Sequence, residues 1–408
     1  MCHFAAVSRI KNIMKNYPVI QLKKEKERSV QRFHPWIFSG ALQSFDARLN
    51  DGDIVQVTDN KGNFLCVGHF YHGSIAVKIL SFEPVEINHD FWNDRMARAL
   101  ALRQQLGLVN NPQTNCYRLI HAEGDQCPGL IVDVYDKTAV VQCHSVGMHQ
   151  AAASISQAIR QQLPFVEAIF DKSREYLPKE YAADVQNGYL YGQASNVTAL
   201  ENGNSFGIDV EHGQKTGFFL DQRDNRHLLT HYCKGKSVLN TYCYSGGFSV
   251  YALNNGASEV VSVDVSKSAI ALVDNNVALN FADGQAAHSS VAADVFQFFK
   301  TENRHFDVII LDPPAFAKSI SKRHNAVQAY KRLNMEGIRH VNKNGIIFTF
   351  SCSQVVDKAM FEATVMSAAI ECGRTVRILH YLSQPADHPI NLFHPESSYL
   401  KGLVLYVE

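Results

Sequence analysis

The sequence predicts an α/β protein whose C-terminal half is a doubly wound, mostly parallel sheet of seven strands. An α+β middle unit and a small all-β unit precede it. Three observations carry this expectation. From Ser237 onward, apolar β-type runs alternate regularly with helical stretches, the pattern of a parallel sheet covered on both faces. Within that half, Ser237–Asp264 reads strand, glycine pair, helix, strand, acid, which is a nucleotide-binding half-unit. The N-terminal region instead shows short β-runs separated by turn signals.

Composition narrows the class. A chain of 408 residues is long enough for two or three domains, and 46 % hydrophobic content is ordinary for a soluble globular protein. Lys+Arg and Asp+Glu balance at 39 each, so any nucleic-acid contact must come from local patches. Nine cysteines are scattered without a C-x-x-C pair, which argues against a zinc ribbon or disulfide framework and for a reducing, cytoplasmic setting. No apolar run is long enough to span a bilayer. The opening MCHFAAVSRIKNIMK is not a signal peptide; residues 1–16 are read as an extension, disordered or preceding a true start at Met14. Residues 9–32 hold eight basic residues against Glu25 and Glu27, either a solvated terminus or a phosphate-contacting arm.

The elements follow in order. Ile54–Asp59, Phe64–Tyr71 and Ala76–Phe82 are expected strands of the first unit, 17–88, with Trp36 and Phe38 expected in its core. In the middle unit, 89–196, residues 90–106 carry helical spacing, Tyr117–Leu130 reads as loop, and Leu130–Tyr135 and Thr138–His144 read as strands. A helix over 149–162 and a strand over Ala168–Lys172 follow, and Asn187–Asn196 reads as a linker. The last unit, 197–408, opens with a hairpin turning at Glu201–Asn204, then a Gly-Gln-Lys-Thr-Gly loop and a helix with Asp221 near its start. Strands are expected at 237–241, 259–264, 289–292, 307–312, 345–351, 375–382 and 399–407. The last two lack an intervening helix, which implies an antiparallel strand at the sheet edge.

Chemistry is expected at the carboxyl ends of these strands, where open α/β sheets bind ligands. Tyr244, Ser245, Gly246 and Gly247 form the first turn, with Asp264 at the end of the next strand to accept bonds from a ribose. The glycines do not make G-x-G-x-x-G, which disfavours a nicotinamide enzyme. Asp294 follows the third strand; it is suited to an adenine amino group, or to capping a helix. Asp312-Pro313-Pro314 ends a buried strand in an acid and a rigid extended turn, with Phe316 near enough to stack on a flat heterocycle. Lys318–His324 is basic, either solvated or in contact with RNA phosphates through residues such as Lys318 and Arg323. Cys352 ends the next strand; its flanks Ser351 and Ser353 argue for an exposed nucleophile rather than a buried small hydrophobe. A thiolate adding to carbon 6 of cytosine would make carbon 5 nucleophilic toward a methyl donor, with Asp312 near N3. A base held in folded RNA would first have to be splayed out.

The runs NTYCYSGGFSVYAL, DVIILDPPAFAKS, FTFSCSQ, PADHPI and YLKG together resemble the RlmI/YccW family. Its members are S-adenosylmethionine-dependent large-subunit ribosomal RNA 5-methylcytosine methyltransferases. HPWIFSGA is similar to the family's N-terminal PUA β-barrel, which binds RNA, and HGQKTGFFLDQRDNR to the segment leading into its class I, Rossmann-like methyltransferase domain. The resemblance runs from about Arg28 to the end. It implies that Tyr244 and Gly246 line the methionine end of S-adenosylmethionine, Asp264 holds the ribose and Asp294 the adenine. It implies Asp312 at the target base and Cys352 as nucleophile, with Lys215–Phe219 and Asp221-Gln222-Arg223 covering the cofactor. The implied substrate is 23S-type ribosomal RNA or the assembling large subunit, and a second copy of the chain is a further candidate partner. Two other readings stay open: a base-nitrogen methyltransferase, which needs no thiol, and an RNA-binding assembly factor with a vestigial cofactor fold.

Overall fold

Period-two burial in the C-terminal strands builds the layer that positions everything else. In the strand Phe306–Leu311, Val308 and Ile310 face one apolar cluster, while Ile309 and Leu311 face another. A strand buried on both faces needs helices on both sides. The computed structural model describes residues 17–281, 284 and 286–408. The extension 1–16, with Arg9, Lys11 and Lys15, lies outside the described residues.

The N-terminal sheet contains β1 (Val19–Leu22), β2 (Trp36–Phe38), β3 (Leu42–Ser44), β4 (Ile54–Thr58), β5 (Phe64–Phe70) and β6 (Ile75–Ser81). Its order is β2-β6-β5-β4-β1-β3. The expected core position of Phe38 is corrected: it is 50 % exposed, because β2 is the sheet's edge. Trp36 is half-buried and donates its indole N–H to Glu123 at 2.9 Å.

The middle sheet holds β7 (Cys116–His121), β8 (Leu130–Tyr135), β9 (Thr138–Cys143), β10 (Ala168–Asp171) and β11 (Gly188–Tyr191), in the order β11-β10-β9-β8-β7. Helices α1 (His89–Gln105) and α2 (Ala152–Gln162) pack on it. Two expectations fail here. The Tyr117–Leu130 loop begins as the fully buried strand β7, disguised by Arg118 and His121, whose polar groups are paired inside the protein. The Asn187–Asn196 linker contains β11, an edge strand polar enough to read as a linker because one side faces water.

The hairpin β12 (Thr198–Glu201) and β13 (Asn204–Gly207) turns at Asn202-Gly203, both in the left-handed region (φ 49° and 80°), as a two-residue hairpin turn requires. Next come α3 (Arg223–Leu229) and the large sheet: β14 (Ser237–Thr241), α4 (Gly247–Asn254), β15 (Glu259–Asp264), α5 (Lys267–Asn280), β16 (His288–Ala292), α6 (Val295–Thr301) and β17 (Phe306–Leu311). The chain ends with α7 (Arg323–His340), β18 (Val341–Ser351), α8 (Lys358–Cys372), β19 (Val376–Leu382) and β20 (Lys401–Val407). The order is β16-β15-β14-β17-β18-β20-β19, seven strands as expected. The antiparallel strand is not at the edge. β20 lies between β18 and β19 and runs against both. Burial explains the placement: β20 is almost wholly buried and needs a neighbour on each side, whereas β19 is largely exposed and tolerates the rim.

Buried charge joins the middle sheet to the large one. Asp387 accepts from the Arg223 guanidinium at 2.8 Å and from the Arg118 backbone N–H at 2.9 Å. Arg118 itself forks onto Asp133 at 2.7 and 2.8 Å, and Asp133 also accepts from the Thr216 hydroxyl at 2.6 Å. Arg226 forks onto Glu201 in the same way at 2.8 Å. Among the described residues, no helix is long and apolar enough to cross a membrane, and the eight described cysteines are free thiols.

Removing one member of such a pair strands the other in a low-dielectric interior. Asp387→Asn is expected to cost about 3–5 kcal/mol, read from the urea midpoint. Arg304→Ala, which breaks a half-exposed pair with Glu259, is expected to cost under about 1 kcal/mol in the same assay.

Candidate active site

A cavity of about 590 Å³ opens at the carboxyl ends of β14, β15, β17 and β18. Its wall includes Lys215, Phe219, Asp221 and Gln222 from the segment before α3, and Tyr242–Ser245, Gly247 and Phe248 from the turn after β14. Asp264–Ser266, Asp312–Ala315, Cys352 and Leu400 also line it, as do Gln214, Arg226 and Asn240, with Tyr176 contributed by the middle unit. Thus Tyr244, Asp264, Asp312, Pro313, Pro314, Phe219, Gln222 and Cys352 come together.

The remaining expected site residues lie elsewhere. Gly246 is behind the wall: its φ is +73°, and a Cβ there would sit 2.9 Å from Val273 Cγ1 of α5, so it serves the turn's close approach to that helix. Asp294 is exposed and caps α6 by accepting from the Gln297 N–H at 3.0 Å. Phe316 packs edge-on against Tyr330 at 4.7 Å rather than facing the cavity. Lys318 is exposed, and Arg323 begins α7. Ser351 and Ser353 do not expose Cys352, contrary to expectation. Both serines are buried, and Ser353 Oγ bonds the Tyr330 hydroxyl at 3.0 Å; Cys352 alone, half-buried, reaches the cavity.

The turn after β14 is bent by three left-handed positions at alternate residues: Tyr242 (φ 54°), Tyr244 (φ 45°) and Gly246. For non-glycine residues this conformation costs about 1 kcal/mol or more each. Neighbours hold it. The Tyr244 N–H donates to Asp264 Oδ2 at 3.1 Å, and the Ser266 N–H donates to Asp264 Oδ1 at 2.9 Å. The Tyr244 hydroxyl accepts from the Gln214 N–H at 2.9 Å and donates to the Gly217 carbonyl at 3.2 Å. The Phe219 ring meets the Tyr244 ring edge-on at 5.1 Å.

Charge in the cavity is arranged by burial and by Lys215. Burial alone would raise the Asp221 carboxyl, but the Lys215 ammonium at 3.0 Å, His388 and the Tyr399 hydroxyl at 2.6 Å hold it well below the usual carboxylate range. Its Oδ1 is buried without a hydrogen-bond partner. Such an oxygen suits a ligand cation or N–H donor. Asp312 shifts the opposite way: burial, reinforced by the charge on Asp221, pushes its carboxyl up to about 7. Gln222 Nε2 donates to Asp312 Oδ2 at 2.9 Å, and its own Oε1 accepts from Asn225 Nδ2 at 2.6 Å, which sets the amide's orientation. Burial also raises the Cys352 thiol, with Asp312 adding to the rise and Lys215 and Lys401 opposing it. Lys401 is fixed by donating to the carbonyls of Ser353 and Tyr399, both at 2.8 Å.

Sequence reasoning gave no role to Tyr242, Tyr399 or Lys401. The YLKG run contains the last two, but only the return of β20 beside β18 brings the Tyr399 hydroxyl to Asp221 and the Lys401 charge near Cys352, behind the cavity wall that Leu400 lines.

The Asp312 shift has a sign. Between about pH 4 and 7 the folded state keeps a proton that the unfolded chain releases, so stability falls across that window as pH rises and levels off above it. Asp312→Asn is expected to remove that slope and to melt higher than the parent above pH 7. Melting temperatures of both proteins from pH 4 to 9 check this; parallel curves would contradict it.

Comparison with known proteins gives the family. The family model described as S-adenosylmethionine-dependent methyltransferase matches residues 148–388, and that of a PUA-like domain matches 20–82. The curated protein named ribosomal RNA large subunit methyltransferase I from Alteromonas mediterranea is 39 % identical, over 95 % of this chain and 98 % of its own length. The protein of that name from Escherichia coli is 36 % identical over the same shares. Among solved structures, one described as a methyltransferase complexed with SAH superposes with a TM-score of 0.81 at 25 % identity, covering 95 % of this chain and 99 % of its own. S-adenosylmethionine is therefore the cofactor. The chain belongs to the family of S-adenosylmethionine-dependent methyltransferases that bears the name ribosomal RNA large subunit methyltransferase I.

Proposed function

We propose that this protein methylates carbon 5 of a cytosine in large-subunit ribosomal RNA through a covalent adduct on Cys352. The observation that carries this reading is one cavity wall holding a half-buried thiol, a carboxyl near neutrality and the turn that follows the first sheet strand. The names of the curated relatives and the PUA-like match support an RNA substrate.

The residues present fit S-adenosylmethionine. The unpartnered Asp221 Oδ1 suits its ammonium, Asp264 its ribose, and Tyr244 and Ser245 its amino-acid end. Phe219 and Gln222 cover it. When bound, it supplies an electrophilic methyl group. In this reading the chain does the rest. The Cys352 thiol gives up its proton to solvent, and the thiolate so formed makes a bond to carbon 6 of the ring. Electron density passes through carbons 5 and 4 to N3, where protonated Asp312 delivers its proton. Carbon 5 thereby becomes the nucleophile. Asp312 recovers the N3 proton once carbon 5 is substituted. Loss of the carbon-5 proton to solvent then breaks the sulfur–carbon bond, restores the ring and returns the thiolate. A carboxyl near 7 is suited to giving and taking a proton at neutral pH. Gln222 orients it. Pro313 and Pro314 keep the backbone rigid beside the base, while Lys318 and Arg323 are assigned to RNA phosphates outside the cavity.

Cys352→Ala is expected to lower methyl transfer to ribosomal RNA by roughly a thousandfold or more while leaving S-adenosylhomocysteine binding unchanged. RNA carrying 5-fluorocytosine has no carbon-5 proton to lose. It should leave a denaturant-stable adduct on the parent protein and none on the variant. A variant that methylates at the parent rate would favour base-nitrogen methylation instead. If ribosomal RNA from cells with and without the gene shows no cytosine of the large subunit that differs, the reading fails.

A further inference from the structure

Among the described residues, one group of three potential metal-ligating side chains lies outside the cavity. His34 precedes β2 of the N-terminal sheet, and His394 and Glu396 lie on the loop between β19 and β20. One nitrogen or oxygen from each lies within 4.8 Å of the others. His394 is only 2 % exposed, yet neither of its ring nitrogens has a hydrogen-bond partner. An imidazole buried in this way loses its bonds to water and gains none in return. Its Nε2 stands 3.8 Å from Glu396 Oε2. His34 is already oriented: its Nδ1 lies 3.1 Å from the Trp36 carbonyl. The Trp36 N–H also meets Nδ1, at 3.2 Å, so the Trp36 backbone engages that nitrogen in either tautomer and Nε2 is the nitrogen left for a ligand. In the Nδ1–H form, donation to the carbonyl leaves the Nε2 lone pair for a metal.

We propose that His34, His394 and Glu396 form a site for a zinc-class divalent cation that clamps the PUA-like barrel onto the methyltransferase domain. Two imidazoles and one carboxylate are a borderline donor set suited to zinc, with water filling the fourth position. Bonds of about 2.1 Å place tetrahedral ligand atoms about 3.4 Å apart. The required closure is small, and Glu396, with a side chain 60 % exposed, is free to supply it. The surroundings are built to hold the loop there. Asn391 Nδ2 donates to the Glu123 carbonyl at 3.1 Å, and Trp36 Nε1 donates to Glu123 Oε1 at 2.9 Å. The Trp36 ring lies 4.2 Å from the His394 ring, so the site carries its own fluorophore.

The test uses the full chain, stripped with chelator and titrated with zinc chloride by calorimetry, beside Glu396→Gln and His34→Gln. The expected result is one zinc per chain, a higher melting temperature with zinc, and at least tenfold weaker binding in both variants. S-adenosylhomocysteine binding should be the same in all three proteins, which keeps a folding defect apart from a lost ligand. Cobalt chloride should quench Trp36 fluorescence and give visible bands without a thiolate charge-transfer band; Trp36→Phe should abolish the quench but keep the zinc. A parent protein that binds no zinc, variants that bind it as the parent does, or a cobalt spectrum dominated by thiolate would each overturn the assignment.

Discussion

The buried carboxylate of Asp387 is the constraint on which the architecture depends. It sits on the β19–β20 loop, takes the Arg223 guanidinium from the segment that covers the cavity, and takes the Arg118 N–H from the middle sheet. Arg103 completes the joint by donating to the Asp387 carbonyl at 2.7 Å. Charges this deep are tolerated only when each is paired and hydrogen-bonded, so the three segments cannot drift apart independently. The cavity wall inherits that rigidity. Asp221 and Gln222 immediately precede Arg223, and their positions are set by where Arg223 is held.

Around this joint, opposite proton affinities are placed within one cavity. Asp221 is buried, and Asp312 is half-buried on the same cavity wall. Asp221 has Lys215 and Tyr399 as partners and stays ionised; Asp312 has an amide partner and a like charge nearby, and is raised. Two carboxyls separated in this way can divide the work, one as a fixed anion and one as a proton carrier. Lys215 couples them, since it opposes the rise of both Asp312 and Cys352 while neutralising Asp221.

Most of the large sheet was legible in the sequence because its strands are buried on both faces and its helices have the matching period. Val238-Leu239 and Val260-Val261 can be nothing but interior strand when a helix follows each. The Asn202-Gly203 turn was legible for a local reason, the left-handed φ that both residues accept. The failures share a different cause. β7 contains Arg118 and His121, which look like loop residues until Asp133 and Asp387 are known to lie beside them. The order β18-β20-β19 is a choice of neighbour, and two apolar runs near the end of the chain are equally consistent with either order.

The candidate site divides the same way. The sequence by itself determined which groups stand at the strand ends: the acid Asp264 closing β15, Asp312 with its two prolines, and Cys352 one strand further, since parallel topology sends consecutive strand ends to one edge. Only the tertiary structure decided which neighbours those groups have, and so what they can do. That Asp294 caps a helix, Phe316 backs onto Tyr330, and the serines beside Cys352 are buried follows from packing. Gly246-Gly247 reads in the sequence as a turn near a ligand; in the fold, Gly247 lines the cavity while Gly246 is pressed against Val273. Residue type and spacing fix local backbone geometry, whereas proton affinity and exposure depend on groups far away in sequence.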